Sequence, residues 1–306
     1  MSHTVRAARP RPTLRRLLQG DGIIVAPGAY DMLSALLIEQ AGFPCLYLTG
    51  NGQAASALGL PDLGMITLAE MAERLRRTTA TVGIPVIVDA DDGYGNLLML
   101  QRAVREFEAA GASAIQLEDQ ASPKKCGHEL GREVVPVEDM IARLRAAVDA
   151  RADPHTLLIA RTDARTTHGL VEAIRRGRIY AEHGADVVFV ESPESEEEFA
   201  EIARSIDAPL LANMVETSRS PYLPWQRLQQ LGFKIAIYPG SAFLAAARAV
   251  QDVLRAIHDH GSAAPLLERM MTLKQYHDVL HFQEYAALER GYRAPAADAS
   301  TGERRR

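Results

Sequence analysis

The sequence holds no apolar run approaching the ~18 residues that a membrane-spanning helix needs, so no segment reads as a span. Cysteine is scarce: Cys45 and Cys126 are the only two in 306 residues. Two thiols make no disulfide framework and fit a reducing compartment. Positive charge is not in excess. Lys and Arg number 34 against 39 Asp and Glu, a net charge of −5. Nothing in that balance draws the chain to nucleic acid or to a membrane surface. No paired-cysteine or His-Glu-x-x-His spacing offers a zinc site. No Gly-x-Gly-x-x-Gly follows the first apolar run to cradle a dinucleotide. The first residues, MSHTVRAARPRPTLRRLL, carry arginines but no apolar stretch ending in small residues. They are expected to be a cytoplasmic start and not a secretory signal.

What is present is a rhythm. Short runs rich in Val, Ile and Leu recur eight times: GIIVAPG from Gly22, CLYLTG from Cys45, PVIVDAD from Pro85, AIQLEDQ from Ala114, TLLIART from Thr156, VVFVES from Val187, PLLANM from Pro209 and IAIYPG from Ile235. Apolar on both faces, they read as buried parallel strands. Amphipathic segments lie between them, at Thr67 to Val82, Val137 to Ala150 and Leu170 to His183 among others. Gly42, Gly83, Gly111, Gly184 and Gly232 stand where left-handed helix C-caps are expected. Eight strand–helix units predict a closed (β/α)8 TIM barrel over residues 21–262, in preference to an open doubly wound sheet. Residues 1–20 read as an N-terminal extension. Residues 263–293 read as a C-terminal helical segment whose apolar face needs a partner, a neighbouring subunit being one candidate. Residues 294–306 read as a disordered tail.

In a parallel barrel, chemistry gathers at the C-terminal strand ends. Those ends carry Tyr47, Thr49, Gly50 and Asn51; Asp89, Asp91 and Asp92; Glu118 and Asp119; Arg161; Glu191; Asn213; and Ser241. Carboxylates crowded at one mouth repel unless a cation or arginines neutralise them. Asp89, Asp91 and Glu118, with Asp62 from the loop after the second strand, are hard oxygen donors that suit Mg²⁺, or Mn²⁺ in its place. Asp92 and Asp119, taken singly, read as N-caps of the helices that follow. Arg161 ends an otherwise apolar strand. It reads as a fork for a substrate carboxylate or phosphate, or as the partner of Glu118 or Glu191.

The loop SPKKCGHELG follows the fourth strand and lies over the same mouth. Lys124, Lys125 and His128 would lower the pKa of the Cys126 thiol, and its glycines suit a mobile lid. Cys45 opens a buried strand and reads as packing.

Taken together, YLTGNGQAASALGLPDLG, VDADDGYG, QLEDQ, KKCGH, ARTDA and LLANMVE resemble the isocitrate lyase / phosphoenolpyruvate mutase superfamily, over about Gly22 to Phe243. Within it, the Lys-Lys-Cys-Gly-His loop resembles that of the carbon–carbon lyases, and the chain's length is similar to that of the short 2-methylisocitrate and 2,3-dimethylmalate (alkylmalate) lyases. The resemblance implies Mg²⁺-dependent cleavage of a 2-hydroxy di- or tricarboxylate to pyruvate and a carboxylic acid such as succinate. It implies Asp89 as direct metal ligand, with Asp62, Asp91 and Glu118 acting through water. Cys126 would be the general acid, Lys124 and His128 would stabilise charge, and Arg161 and Glu191 would hold and orient it. Tyr47, Thr49, Gly50 and Asn51 would line the keto-acid end, and Gly127, Asn213 and Ser241 would contact the rest of the substrate. A cytoplasmic homotetramer, a dimer of helix-swapped dimers, is implied too. Thr49-Gly50-Asn51 departs from the Ser-Gly-Gly of methylisocitrate lyases, and Gly240 stands where they carry leucine. The continuation ELGREVVP is closer to the alkylmalate group. The alternatives on the same barrel are an oxaloacetate decarboxylase or hydrolase, which would not need Cys126, and a phosphonomutase or phosphonate hydrolase. A catalytically silent scaffold is a third reading, which would be expected to have lost some of these residues.

Overall fold

A computed structural model describes residues 13–125, 127 and 131–293. Its core is eight parallel strands: β1 (Ile24–Ala29), β2 (Leu46–Leu48), β3 (Val86–Asp89), β4 (Ala114–Glu118), β5 (Leu157–Thr162), β6 (Val187–Val190), β7 (Leu210–Asn213) and β8 (Ile235–Tyr238). They close in sequence order, β8 pairing with β1 at Ile24↔Ile235. The expected TIM barrel is therefore what forms, each apolar run supplying one strand.

Two apolar surfaces explain why it closes. Inside, Ala26, Tyr47, Ile87, Ala114, Ile159, Phe189, Leu211 and Ile237 form one cluster, which Leu14 of the short helix Leu14–Leu18 joins. Outside, the alternate residues of the strands meet the helices in two further clusters, with Phe107, Met140 and Tyr180 in one and Phe199 and Ile202 in the other. A strand buried on both sides must be apolar on both, and that is the pattern the sequence carries.

Local signals set the helix ends. Thr67 caps the helix Leu68–Thr81 and Glu70 bonds back to it in a capping box. Gly42, Gly111, Gly184 and Gly232 follow helices with φ between +85° and +105°. Gly83 does not take the left-handed cap expected of it; its N–H donates to Glu39 instead, at 2.6 Å. The third helical segment begins earlier than its periodicity implies, at Ala164, because Gly169 (φ 84°) joins two helical pieces at a kink.

The chain divides into two compact units, Arg11–Val250 and the part from Gln251 onward. The helix Ser241–His260 crosses that division and buries no residue. Beyond it, the C-terminal helical segment expected over 263–293 is a 3-10 turn (Ala264–Arg269) and two helices (Leu273–Val279 and Phe282–Arg293). Thr272 starts a fresh capping box with Gln275, and His281 (φ 55°) breaks the line. Leu273, Phe282, Tyr285 and Tyr292 stay exposed. The tail expected to be disordered lies outside the described residues.

Candidate active site

The C-terminal ends of the strands enclose a cavity of about 160 Å³ lined by Tyr47, Thr49, Asn51, Asp62, Asp89, Gly127, Arg161, Glu191 and Asn213 on its polar side. Phe189, Val215, Ile237, Phe243 and Leu244 form the apolar remainder. Residues from seven segments expected to meet at one mouth do meet there.

Asp89 ends β3. Its Oδ1 accepts from Asp91 N–H at 3.3 Å and from Gln116 Nε2 at 3.2 Å; its Oδ2 accepts from Gly50 N–H at 3.3 Å. Gly50 must be glycine for this approach, because a Cβ there would come within 2.8 Å of Asp89 Oδ2. Lys124 reaches across to Asp62 and Asp91 at 2.5 and 2.6 Å. Burial opposes its charge, but Asp91, Glu118, Asp89 and Asp62 outweigh that and raise its pKa. The ammonium is thus bound up in the acid cluster. Burial pushes the Asp91 carboxyl up to about 7 against the pull of Lys124. Burial likewise raises Glu118 well above the usual range, with Arg161 opposing.

Arg161 ends β5 and is buried. Its Nε and NH2 form a two-point clasp on Asp163, at 3.0 and 2.8 Å. NH1 lies 3.3 Å from Glu118 and NH2 3.6 Å from Glu191. Both readings of this arginine therefore keep their place: it has internal partners and it lines the cavity. The edge it could offer a substrate is narrower than a free fork, because Asp163 already holds one side. Asp163 in turn takes Arg132 NH1 at 3.0 Å. Burial alone would raise its pKa, but Arg161 and Arg132 hold it below the usual carboxylate range.

Glu191 ends β6 and accepts from Asn213 Nδ2 at 3.0 Å and from Ser192 N–H at 2.8 Å. Gly127 packs onto this group: a Cβ there would fall 2.3 Å from Arg161 NH2 and 3.1 Å from Glu191. Its carbonyl accepts from Ser192 Oγ at 3.1 Å. The residue after Cys126 thus lines the cavity. Cys126 and His128 themselves lie outside the described residues.

The Ser241 hydroxyl, next to the cavity residue Gly240, donates to Glu216, which also accepts from Tyr222 at 3.1 Å. Two expectations need correction. Asp119 is not an N-cap. It is fully buried and accepts from Thr162, Tyr180, Arg176 and the N–H of Asp163 at 2.8–3.0 Å, because β4 ends against β5 and not at a helix start. Asp92 is not one either: it accepts from Tyr94 N–H, two residues on, while Asn96 caps the next helix. Cys45 is buried as expected, and burial drives its thiol pKa up, so it is chemically quiet. The sequence reading gave no role to Gln116, Asp163 or Ser192. Asp163 was recoverable from its spacing, since an acid two residues after a buried strand-end arginine points the same way.

The donor set fits a hard, hydrated divalent cation. Among the described residues no three His, Cys, Asp or Glu side chains converge as a ready ligand set. However, Glu118 Oε1 is buried without a hydrogen-bond partner among them, and Asp89 lines the cavity. That arrangement matches an ion held by one or two carboxylates, with the other acids reached through its waters.

Comparison with known proteins agrees with this geometry. Residues 14–258 match the phosphoenolpyruvate phosphomutase family model. The chain belongs to this family. It is 44% identical over 279 residues to a 2,3-dimethylmalate lyase of Eubacterium barkeri, covering 91% of this chain and 96% of that one. It is 45% identical over 277 residues to a 2-methylisocitrate lyase of Aeropyrum pernix, covering 90% and 89%. The structure of an oxaloacetate acetylhydrolase bound to 3,3-difluorooxalacetate superposes with a TM-score of 0.87 at 34% identity, covering 93% of this chain and 97% of that one. A phosphonopyruvate hydrolase in complex with oxalate and Mg²⁺ does so at 0.83 and 32%, covering 92% and 98%. The resemblance to the isocitrate lyase / phosphoenolpyruvate mutase superfamily is borne out. No helix among the described residues is long and apolar enough to cross a membrane.

Proposed function

We propose that the chain is a Mg²⁺-dependent carbon–carbon lyase that cleaves a 2-hydroxy acid, an alkylmalate or 2-methylisocitrate, to pyruvate and a second carboxylic acid. The observation that carries this reading is Gly127. It lies against Arg161 and Glu191, in the cavity that also holds Asp89, which supports a role there for the loop it belongs to. A hydrolase or decarboxylase acting on oxaloacetate needs the acids but gives that loop no role. The relatives named as dimethylmalate and methylisocitrate lyases support the lyase.

Asp89 would ligate the ion directly, with Asp62, Asp91 and Glu118 behind its waters. When bound, Mg²⁺ would supply Lewis acidity to the hydroxyl and adjacent carboxylate of the substrate. Tyr47, Thr49 and Asn51 line the cavity, and with Gly50 they would form the end where the keto acid is made. Arg161 faces the carboxylate on which negative charge develops as the bond breaks, in a site where burial strengthens that attraction. Glu191, tied to Asn213 and Ser192, fixes the position of Arg161. Cys126 would give its proton to the carbon left by the broken bond, and the proton given up by the substrate hydroxyl would restore the Cys126 thiol, so the reaction consumes no water. Lys124, already paired to Asp62 and Asp91, keeps the acid cluster neutralised, and His128 adds positive charge beside the thiol.

The exposed apolar face of the helix Ser241–His260, with Leu244, Val250, Leu254 and Ile257, supports a homo-oligomer in which a second copy covers it. A helix-swapped dimer, paired into a tetramer, is the form we propose. Two cysteines in 306 residues support a cytoplasmic setting.

The test is pyruvate release with Mg²⁺ from 2,3-dimethylmalate, 2-methylisocitrate, citramalate and oxaloacetate in parallel. Pyruvate from an alkylmalate or methylisocitrate, lost on Cys126→Ser, is the expected result. Turnover of oxaloacetate alone, indifferent to Cys126→Ser, would overturn it.

A further inference from the structure

The barrel register places Gln116 beside Asp89, directly paired across β3 and β4. Paired residues of neighbouring barrel strands face the same side, here inward. Gln116 is fully buried, and Asp89 and Tyr47 are 7% and 3% exposed. Gln116 Nε2 donates to Asp89 Oδ1 at 3.2 Å, while its Oε1 accepts from the Tyr47 hydroxyl at 3.2 Å. A buried amide must satisfy both ends, and here each end has one partner of the matching kind. Turned over, the amide would set its oxygen against an Asp89 oxygen and leave both facing lone pairs. The Asp89 carboxylate therefore fixes the amide, and the amide presents its oxygen to Tyr47.

The consequence lies at Asp89. Its Oδ1 is occupied by two donors, Gln116 and the N–H of Asp91, while its Oδ2 accepts from Gly50 N–H alone, and Asp89 lines the cavity. Tyr47 lines that cavity as well. A contact at the keto-acid end and a contact at the cation ligand are thus joined through one buried amide.

We propose that Gln116 is the positioning residue of the cation site: it fixes which Asp89 oxygen faces a divalent cation, and Tyr47 fixes Gln116. This rests on the cation reading above. Without the amide, the Asp89 carboxylate keeps only the longer bonds from the Asp91 and Gly50 N–H groups, at 3.3 Å each, and is held less firmly. Loss of an outer partner of a metal ligand weakens metal binding by roughly 10- to 100-fold. Because Tyr47 and Gln116 belong to one buried hydrogen-bond network that ends at Asp89, which Tyr47 also touches directly, the effects of removing each overlap in part instead of adding fully.

The experiment titrates Mn²⁺ into the full chain without substrate, following the free ion by electron paramagnetic resonance. It uses the unsubstituted protein, Gln116→Met, Tyr47→Phe and the double variant. Gln116→Met keeps the volume and removes the amide. Its Mn²⁺ dissociation constant should rise roughly 10-fold or more. Tyr47→Phe should raise it less, and the double variant should fall short of the sum of the two single losses. Unchanged affinity in both single variants, against an unsubstituted protein that binds, overturns the positioning role and leaves the cation reading standing. Fully additive losses overturn the link through Tyr47. Failure of the unsubstituted protein to bind Mn²⁺ overturns the cation reading and this inference together. If Gln116→Met does not fold, Tyr47→Phe decides, since it deletes one hydroxyl, and unchanged affinity there overturns the link.

Discussion

The two ends of the barrel interior are built from the same strands on opposite terms. Toward the strand starts, Leu14, Ile24, Cys45, Ala114, Leu157 and Val187 bury apolar surface with no charge among them. Toward the strand ends, Asp89, Asp91, Glu118, Lys124, Arg161, Asp163 and Glu191 are buried almost as completely. Burying apolar groups stabilises a fold by area alone. Burying charges costs desolvation that only partners in good geometry offset. One end therefore contributes stability with little chemical consequence, and the other accepts a penalty to hold reactive groups in place. If that division is right, substitutions at the two ends should separate activity from stability.

The sharpest break belongs to Cys126→Ser. General acid catalysis contributes about 10²- to 10⁴-fold, so turnover should fall by roughly that factor. Thermal unfolding should stay where it was, and binding of pyruvate and Mg²⁺ should persist. Undiminished turnover would remove the thiol from the mechanism. Asp163→Ala comes next and should fail on both counts. It removes the two-point partner of buried Arg161, which keeps only Glu118 and Glu191 at 3.3 and 3.6 Å, and the acid partner of buried Arg132. Leaving buried charges unpaired costs about 3–5 kcal/mol. Denaturant unfolding should show that loss, together with a fall in turnover as Arg161 loses its clasp. Leu14→Ala at the opposite end should cost about 2–5 kcal/mol by opening a cavity, with turnover per folded molecule unchanged. A drop in kcat there would blur the division between the two ends.

How much of this was legible before the structure differs in the same way between the ends. The apolar end was written plainly, because a strand buried on both faces leaves an uninterrupted apolar run, and eight such runs count the barrel out. The charged end was legible as a list of residues but not as a set of pairings. Asp119 looked like a cap because an acid before a loop usually is one. Only the β4–β5 adjacency shows it accepting from Thr162 and the Asp163 N–H. Gln116 was silent because an amide inside an apolar run carries no pattern of its own; the β3–β4 register gives it meaning. The partner of Ser241 was as hidden, because Glu216, which takes its hydroxyl, stands 25 residues earlier. The break at His281 was hidden because neither glycine nor proline marks it.

The smallest effect sought is a pH dependence at the charged end, traceable to Asp163. Its folded pKa lies below its unfolded value of about 3.9, because Arg161 and Arg132 outweigh burial. A depressed carboxylate contributes stability that is complete above the unfolded pKa. That contribution is lost as pH falls through the folded value. The groups facing Asp163 are the two arginines and, through its N–H, Asp119, whose pKa burial and Asp163 raise. Asp119 therefore runs the other way, and total stability against pH mixes the two. The difference between the unsubstituted protein and Asp163→Asn isolates one of them, since the amide keeps the shape and cannot ionise. That difference in unfolding free energy should be flat from pH 8 to about 5 and shrink below pH 4. It should remain smaller than the Asp163→Ala loss, because Asn still offers an oxygen to one arginine. A difference that grows as the solution is acidified would mean that Asp163 is not held ionised by its two arginines.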